Sequence, residues 1–202
     1  MKSTFTSDLK KEQRLSLLLD SYYTKHLKNY HFERIHDINE QLQGVDLLLK
    51  QKSSHMTHVV DEKAQLDYIN ESLPTFAFEL SYYKNDFIKQ GWLYDANKKT
   101  DFYALVTSIY EDEPEVFTSC KVTFVNRQKL IAFLETRGIT QNIISQNYPA
   151  ESLPHGKTNI KELNPSTEGY LYHSKNNKSE KPINLVLRLE FLLDMGLAKN
   201  LF

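Results

Sequence analysis

Two acids and a lysine carry the chemical interest of this sequence. Asp46 interrupts an otherwise apolar run, Val45-Asp46-Leu47-Leu48-Leu49, and Asp61-Glu62-Lys63 lies inside the run 57–66, THVVDEKAQL. If both runs are strands, the period of two puts Asp61, Lys63 and Gln65 on one face and Glu62 on the other. A hairpin between the runs would bring Asp46 beside Asp61. Two converging carboxylates suit Mg²⁺, a hard cation that takes oxygen ligands and keeps several waters, and Mn²⁺ accepts the same donors. Such a cation polarises a phosphodiester and lowers the pKa of a bound water, which makes a nucleophile at neutral pH. A neighbouring lysine can orient that water or neutralise charge that develops on the phosphate. The backbone carbonyl of Glu62 can add a metal ligand, and Gln65 can position water or touch phosphate. The opposing view, a solvated charge cluster, meets Val59 and Val60 before the motif and Ala64 and Leu66 after it. Charges embedded in such strands are expensive unless paired or metal-bound.

These side chains need elements that hold them. Leu15, Leu18, Leu19 and Tyr22 recur at helical spacing, with Leu17 widening the apolar face, and predict a helix over about 8–27. Ser7 or Asp8 is the expected N-cap. A second helical stretch is expected at 32–42. At Gly44 the period switches, and the polar stretch 50–54 turns the chain between the two acid-bearing runs. In the strand expected at 75–83, Phe76, Phe78, Leu80 and Tyr82 share one face. Glu79 is on the other face, within reach of the acids if that strand is their neighbour. Further strands are expected at 91–94, 102–110, 116–124, 170–173 and 182–187. Asn126 caps a helix that ends at Gly138, and a last helix is expected at 188–197. Hairpins mixed with helix-linked connections give an α/β or α+β class with a mixed sheet, and the expected fold is α/β, a central mixed sheet flanked by helices.

The order helix, strand with a lone acid, turn, strand with acid-X-Lys, further strand and helix resembles the PD-(D/E)XK nuclease superfamily, also called restriction-endonuclease-like. The resemblance covers roughly residues 8–110. Asp46 matches the first acid and Asp61-Glu62-Lys63 the acid-X-Lys element; Val45 stands where the family often has proline. What this implies is a restriction-endonuclease-like core over 1–138 with a C-terminal α/β extension over 139–202. It also implies Mg²⁺-dependent cleavage of a nucleic-acid phosphodiester, with DNA the expected substrate. Asp46 and Asp61 would bind metal, Lys63 would act in catalysis, and Gln65 would support it. Many members carry a helical glutamate before the first acid. Glu12 is the candidate here, with Glu33 and Glu40 as competitors. Enzymes of this resemblance often cut duplexes as dimers, so a homodimer is compatible. The same fold can also serve as a catalytically inactive nucleic-acid-binding or interaction module.

Composition narrows the remainder. The 202 residues carry 25 Lys and Arg against 26 Asp and Glu, a net charge of −1, which excludes a bulk electrostatic nucleic-acid binder but not a local basic patch. Lys98, Lys99, Lys175 and Lys178, in expected loops, are the candidates for phosphate contact. The single cysteine, Cys120, removes an internal disulfide framework and a multi-Cys zinc site. The first residues contain no apolar stretch for a signal peptide, and no apolar run reaches membrane-spanning length, so the expectation is a cytoplasmic chain with no membrane partner. Gly156-Lys157-Thr158 echoes a phosphate loop but lacks its earlier glycine, since residue 151 is glutamate.

Overall fold

The computed structural model describes residues 5–85, 87–114, 116–176 and 180–201. Helix α1 (Phe5–His26) presents Leu15, Leu19 and Tyr23, one turn apart, to the core. It begins before Ser7 and Asp8, so neither residue is its cap. Leu18 and Tyr22 are partly buried, but Leu17, expected on the apolar face, is 72% exposed. The chain continues as β1 (Tyr30–Arg34), α2 (Ile38–Leu42), β2 (Leu47–Gln51) and β3 (Thr57–Ala64). A 3₁₀ turn (Leu66–Tyr68) leads to β4 (Thr75–Lys84), β5 (Phe87–Gln90), β6 (Phe102–Glu113) and β7 (Val116–Asn126). Then come α3 (Arg127–Thr136), α4 (Gln141–Asn147), β8 (Gly156–Thr158), β9 (Gly169–His173), β10 (Ile183–Arg188), α5 (Leu189–Asp194) and β11 (Ala198–Asn200).

The strands form two sheets. One has six strands in the order β1-β2-β3-β6-β7-β11. It is mixed, because β1/β2 and β2/β3 are antiparallel whereas β3 and β6 run parallel. The other has five strands, β5-β4-β10-β9-β8, antiparallel throughout. The α/β class with a mixed sheet and helices therefore holds. Among the described residues no helix is long and apolar enough to cross a membrane.

The division into compact units does not fall at residue 138. One unit takes the chain up to Leu73, Lys99–Val125 and the chain from Lys199 on; the other takes Pro74–Lys98 and Asn126–Ala198. The crossover between the parallel strands β3 and β6 thus contributes to the second unit. In the first unit, α1 covers one face of the six-stranded sheet through Leu15, Leu19 and Tyr23, packed with Leu47, Leu49, Val60, Ala104, Val106 and Val122. The middle of β6, Tyr103 to Val106, is fully buried, as the near-continuous apolar run of a central strand requires. In the second unit, Phe76, Phe78 and Leu80 of β4 are buried, Phe133 of α3 meets Phe191 of α5 at 5.8 Å, and Asn126 caps α3 by accepting from Lys129 N–H.

Two expected elements are different. Residues 32–34 are strand, not helix: Tyr30, Phe32 and Arg34 turn inward, His31 and Glu33 outward, and Phe32 pairs with Leu49 across to β2. The aromatic alternation and the sheet edge override a weak helical pattern. Residues 91–94 are a turn, and the strand is 87–90. Gly91 lies so close to β4 that a Cβ there would sit 2.4 Å from the Glu79 carbonyl oxygen, and its N–H donates to Leu80 O. The remaining boundaries move by a few residues, and the last helix is shorter than 188–197, ending at Asp194.

Candidate functional site

Asp46 owes its position to the end of a short helix. Asp37 caps α2 by accepting from the N–H groups of Asn39 and Glu40 at 2.7 and 3.2 Å. At its other end Gly44, with φ +77°, closes the helix in a Schellman arrangement. Gly44 N–H donates to Gln41 O at 2.8 Å, and Val45 N–H to Glu40 O at 3.1 Å. The buried Thr100 hydroxyl donates to Gly44 O. The chain leaves this turn as β2, with Asp46 one residue before the strand. Its N–H donates to Val60 O and its C=O accepts from Ile35 N–H, both at 2.9 Å.

The β2–β3 hairpin forms as its sequence pattern indicates, with Leu47 opposite Val60 and Leu48 opposite Val59. Beyond Leu47 the pairing is irregular, because Asp46 N–H also meets Val60 O, and the Asp46 carboxyl comes to lie beside that of Asp61. Like charges this close repel. Asp46 feels that repulsion: burial first, then the Asp61 charge, push its carboxyl up to about 7, while Lys63 and the Glu62 N–H pull it down. Asp61 is 1% exposed. Its Oδ1 accepts from Lys63 Nζ, whereas its Oδ2 is buried with no donor once Asp46 is ionised; below about 7 the Asp46 carboxyl shares its proton with Asp61. A buried carboxylate oxygen without a donor costs several kcal/mol unless a cation or water meets it.

Glu62 faces the other way, as strand alternation requires. Its carboxylate accepts from Tyr23 Oη at 2.7 Å and from Arg34 Nη1 and Nη2 at 2.5 and 3.2 Å. Arg34 also reaches Asp20, at 3.0 Å from Nε and 2.6 Å from Nη2. Burial opposes the Arg34 charge, but the hydrogen bonds to Glu62 and Asp20 outweigh it and hold the guanidinium above its ordinary pKa. Burial, and then the Glu62 charge, hold the Tyr23 hydroxyl well above its usual range. The Glu62 backbone has a separate role. Val60 C=O faces β2, so alternation points Glu62 N–H and C=O to the same edge, where β2 has ended. Asp46 Oδ2 fills that gap by accepting from Glu62 N–H at 2.8 Å.

A cavity of about 560 Å³ opens at this end of the sheet. Asp46, Asp61, Glu62 and Lys63 line it from the strands, Glu12, Gln13 and Ser16 from α1, and Arg34, His36 and Gln41 from β1 and the α2 region. Of the helical glutamate candidates, Glu12 lines the cavity. Glu33 is on the outward face of β1, and Glu40 pairs with Lys99 at 3.0 Å. Gln65 is not part of the lining. Strand β3 ends at Ala64, and Gln65, at φ −85° and ψ 60°, opens the 3₁₀ turn instead of continuing the alternation. Glu79 sits on β4 in the antiparallel sheet, since the parallel neighbour of β3 is β6. Lys98 is half-buried, Lys99 is exposed and engaged with Glu40, and Lys175 is exposed after β9; Lys178 lies outside the described residues.

No match is found among family models, curated proteins or solved structures. The chemistry is therefore argued from the donors themselves. Mg²⁺ binds through one or two carboxylates and keeps waters for the rest of its shell. Asp46, Asp61 and the Glu62 carbonyl fit that demand: two carboxylates that repel each other, one with an undonated buried oxygen, beside a strand carbonyl on an open edge. Among the described residues no group of three or more His, Cys, Asp and Glu side chains is arranged for a metal. A cation here would draw on two carboxylates, the carbonyl and water, a hard-cation set.

Arg34 and Tyr23 are the site residues that the motif search missed. Their signals were in the sequence: Arg34 shares the inward period of Tyr30 and Phe32, and Tyr23 continues the spacing of Leu15 and Leu19. Neither period names Glu62 as their partner.

Proposed function

We propose that the chain is a Mg²⁺-dependent nuclease of the PD-(D/E)XK type, with a restriction-endonuclease-like core and DNA as the favoured substrate. The observation that carries this reading is the buried Asp61, its Oδ2 without a donor, beside Asp46 and Lys63 at the cavity wall. Asp46 and Asp61 would hold the cation, with the Glu62 carbonyl as a third donor. When bound, it supplies Lewis-acid polarisation of the scissile phosphate and acidification of a water.

The side chains do the remaining work. Lys63 Nζ, tethered to Asp61 Oδ1, stands where an ammonium orients an attacking water and meets negative charge on the phosphate. Asp46, ionising near 7 without a cation, gives up its proton when a positive charge arrives. Glu12 lines the same cavity from α1 and would support the water shell of a bound cation. Exposed Lys175 is a phosphate-positioning candidate, with binding that weakens as salt rises.

The test is a nicking assay on single-stranded, duplex and branched DNA and on RNA, with Mg²⁺ or Mn²⁺. The expected result is metal-dependent cleavage that falls about 10²-fold or more in Asp61→Asn and in Lys63→Ala, with both variants folded. One observation favours a second reading. The Lys63–Asp61 pair and the Asp46 cap on Glu62 N–H also hold the hairpin together without a cation, as a non-catalytic nucleic-acid-binding or interaction module would need. Binding of nucleic acid with no cleavage under either metal would select it.

A further inference from the structure

Glu62 divides its polar atoms between one face and one edge of β3. Its carboxylate is gripped on the α1 side by the Tyr23 hydroxyl and both terminal nitrogens of Arg34. Arg34 is in turn fixed by Asp20, and the Tyr23 ring is packed edge-on against Phe32 at 5.7 Å. The Glu62 N–H and C=O point to the edge that β2 leaves open, with the N–H holding Asp46 at 2.8 Å. This stretch of β3 is paired on one edge only, in the parallel register with β6 from Asp61 opposite Tyr103 to Lys63 opposite Leu105, so on the β2 edge no ladder partner holds the Glu62 N–H and C=O.

We infer that Glu62 is the positioning residue of the cation site: its clamped side chain fixes the Cα that joins two peptides, the one whose N–H holds Asp46 and the one whose carbonyl is offered to the metal. This rests on the cation reading proposed above. The argument is energetic. Glu62 and Arg34 are each only 14% exposed at the side chain. Burying such a pair costs solvation, and an apolar pair of similar volume stabilises a fold as well or better. What the pair supplies instead is direction. Three charge-assisted or phenolic hydrogen bonds converge on one carboxylate, so the backbone above it has a single orientation. Groups that orient metal ligands without touching the metal act in this way.

The experiment is Mn²⁺ titration of the full chain by calorimetry, with thermal melts of each variant in chelator. Wild type binds one Mn²⁺, and Asp61→Asn abolishes binding. Glu62→Ala weakens binding by about 10- to 100-fold while the protein stays folded. Glu62→Gln restores most of the affinity, because its amide oxygen still accepts from Tyr23 and Arg34. Tyr23→Phe, which removes one hydroxyl and leaves the packing intact, weakens binding several-fold and decides the matter if Glu62→Ala does not fold. Wild-type affinity in both Glu62→Ala and Tyr23→Phe, with binding still lost in Asp61→Asn, overturns the positioning role and leaves the cation reading standing. No Mn²⁺ binding by wild type overturns the cation reading and the positioning role with it.

Discussion

The two faces of strand β3 handle buried charge in opposite ways. On the α1 side, Glu62 is saturated, with Tyr23 and Arg34 on its oxygens and Asp20 closing the network. On the other, Asp61 has one oxygen paired with Lys63 and one with no donor, beside a second carboxylate whose proton it tightens. The residues are adjacent in sequence, so the contrast is not one of depth or element. A saturated buried charge is a scaffold, because it costs most when a partner is removed. An unsaturated one is a place where something else must bind, because the fold gains most when a partner is added.

Three changes break or sharpen that contrast. The largest effect is on the saturated face. Arg34→Ala strands Glu62 and Asp20, and we expect a loss of roughly 3 kcal/mol in urea unfolding, with no relief from added metal. A loss below 1 kcal/mol would erase the distinction between the faces.

Asp46→Asn tests the unsaturated face and should have the opposite sign. The Asp46 carboxyl ionises near 3.8 when unfolded and near 7 when folded, so the folded chain binds its proton more tightly. Metal-free stability should therefore fall as pH rises from about 4 to about 7, then level off. The shift sets a ceiling near 4 kcal/mol. Water in the open cavity screens the pair, so we expect on the order of 2 kcal/mol. Asp46→Asn keeps an acceptor for Glu62 N–H and removes the charge. In chelator at pH 8 it should be more stable than wild type, with the gap closing toward pH 4. An unchanged pH profile in the variant would show that the acids do not repel. The smallest effect belongs to the surface: Lys99→Ala removes an exposed pair with Glu40 and should cost below about 1 kcal/mol.

Much of this site was legible in the sequence because strand period and hairpin closure are local. A lone acid in an apolar run, a polar turn and a second run were enough to bring Asp46, Asp61 and Lys63 together. Gln65 leaves the expected alternation for a local reason as well, since the strand ends one residue before it. What could not be read is pairing at long range. Nothing in Tyr30–Arg34 announces that it edges β2, and β4 finds β10 a hundred residues later. The same blindness hid Arg34 and Tyr23 as partners of Glu62 and left open whether the Glu79 strand neighbours the acids. The β3–β6 crossover looks like a connection in sequence yet supplies two strands to the other sheet.

The central claim is that Asp46, Asp61 and the Glu62 carbonyl converge on one divalent cation. The most direct measurement is a crystal of the protein grown with Mn²⁺ and its anomalous difference map. The account predicts a single strong peak bonded to both carboxylates and to that carbonyl, absent in crystals of Asp61→Asn. A map with no peak between the two acids at millimolar Mn²⁺, or the same peak in Asp61→Asn, would contradict it.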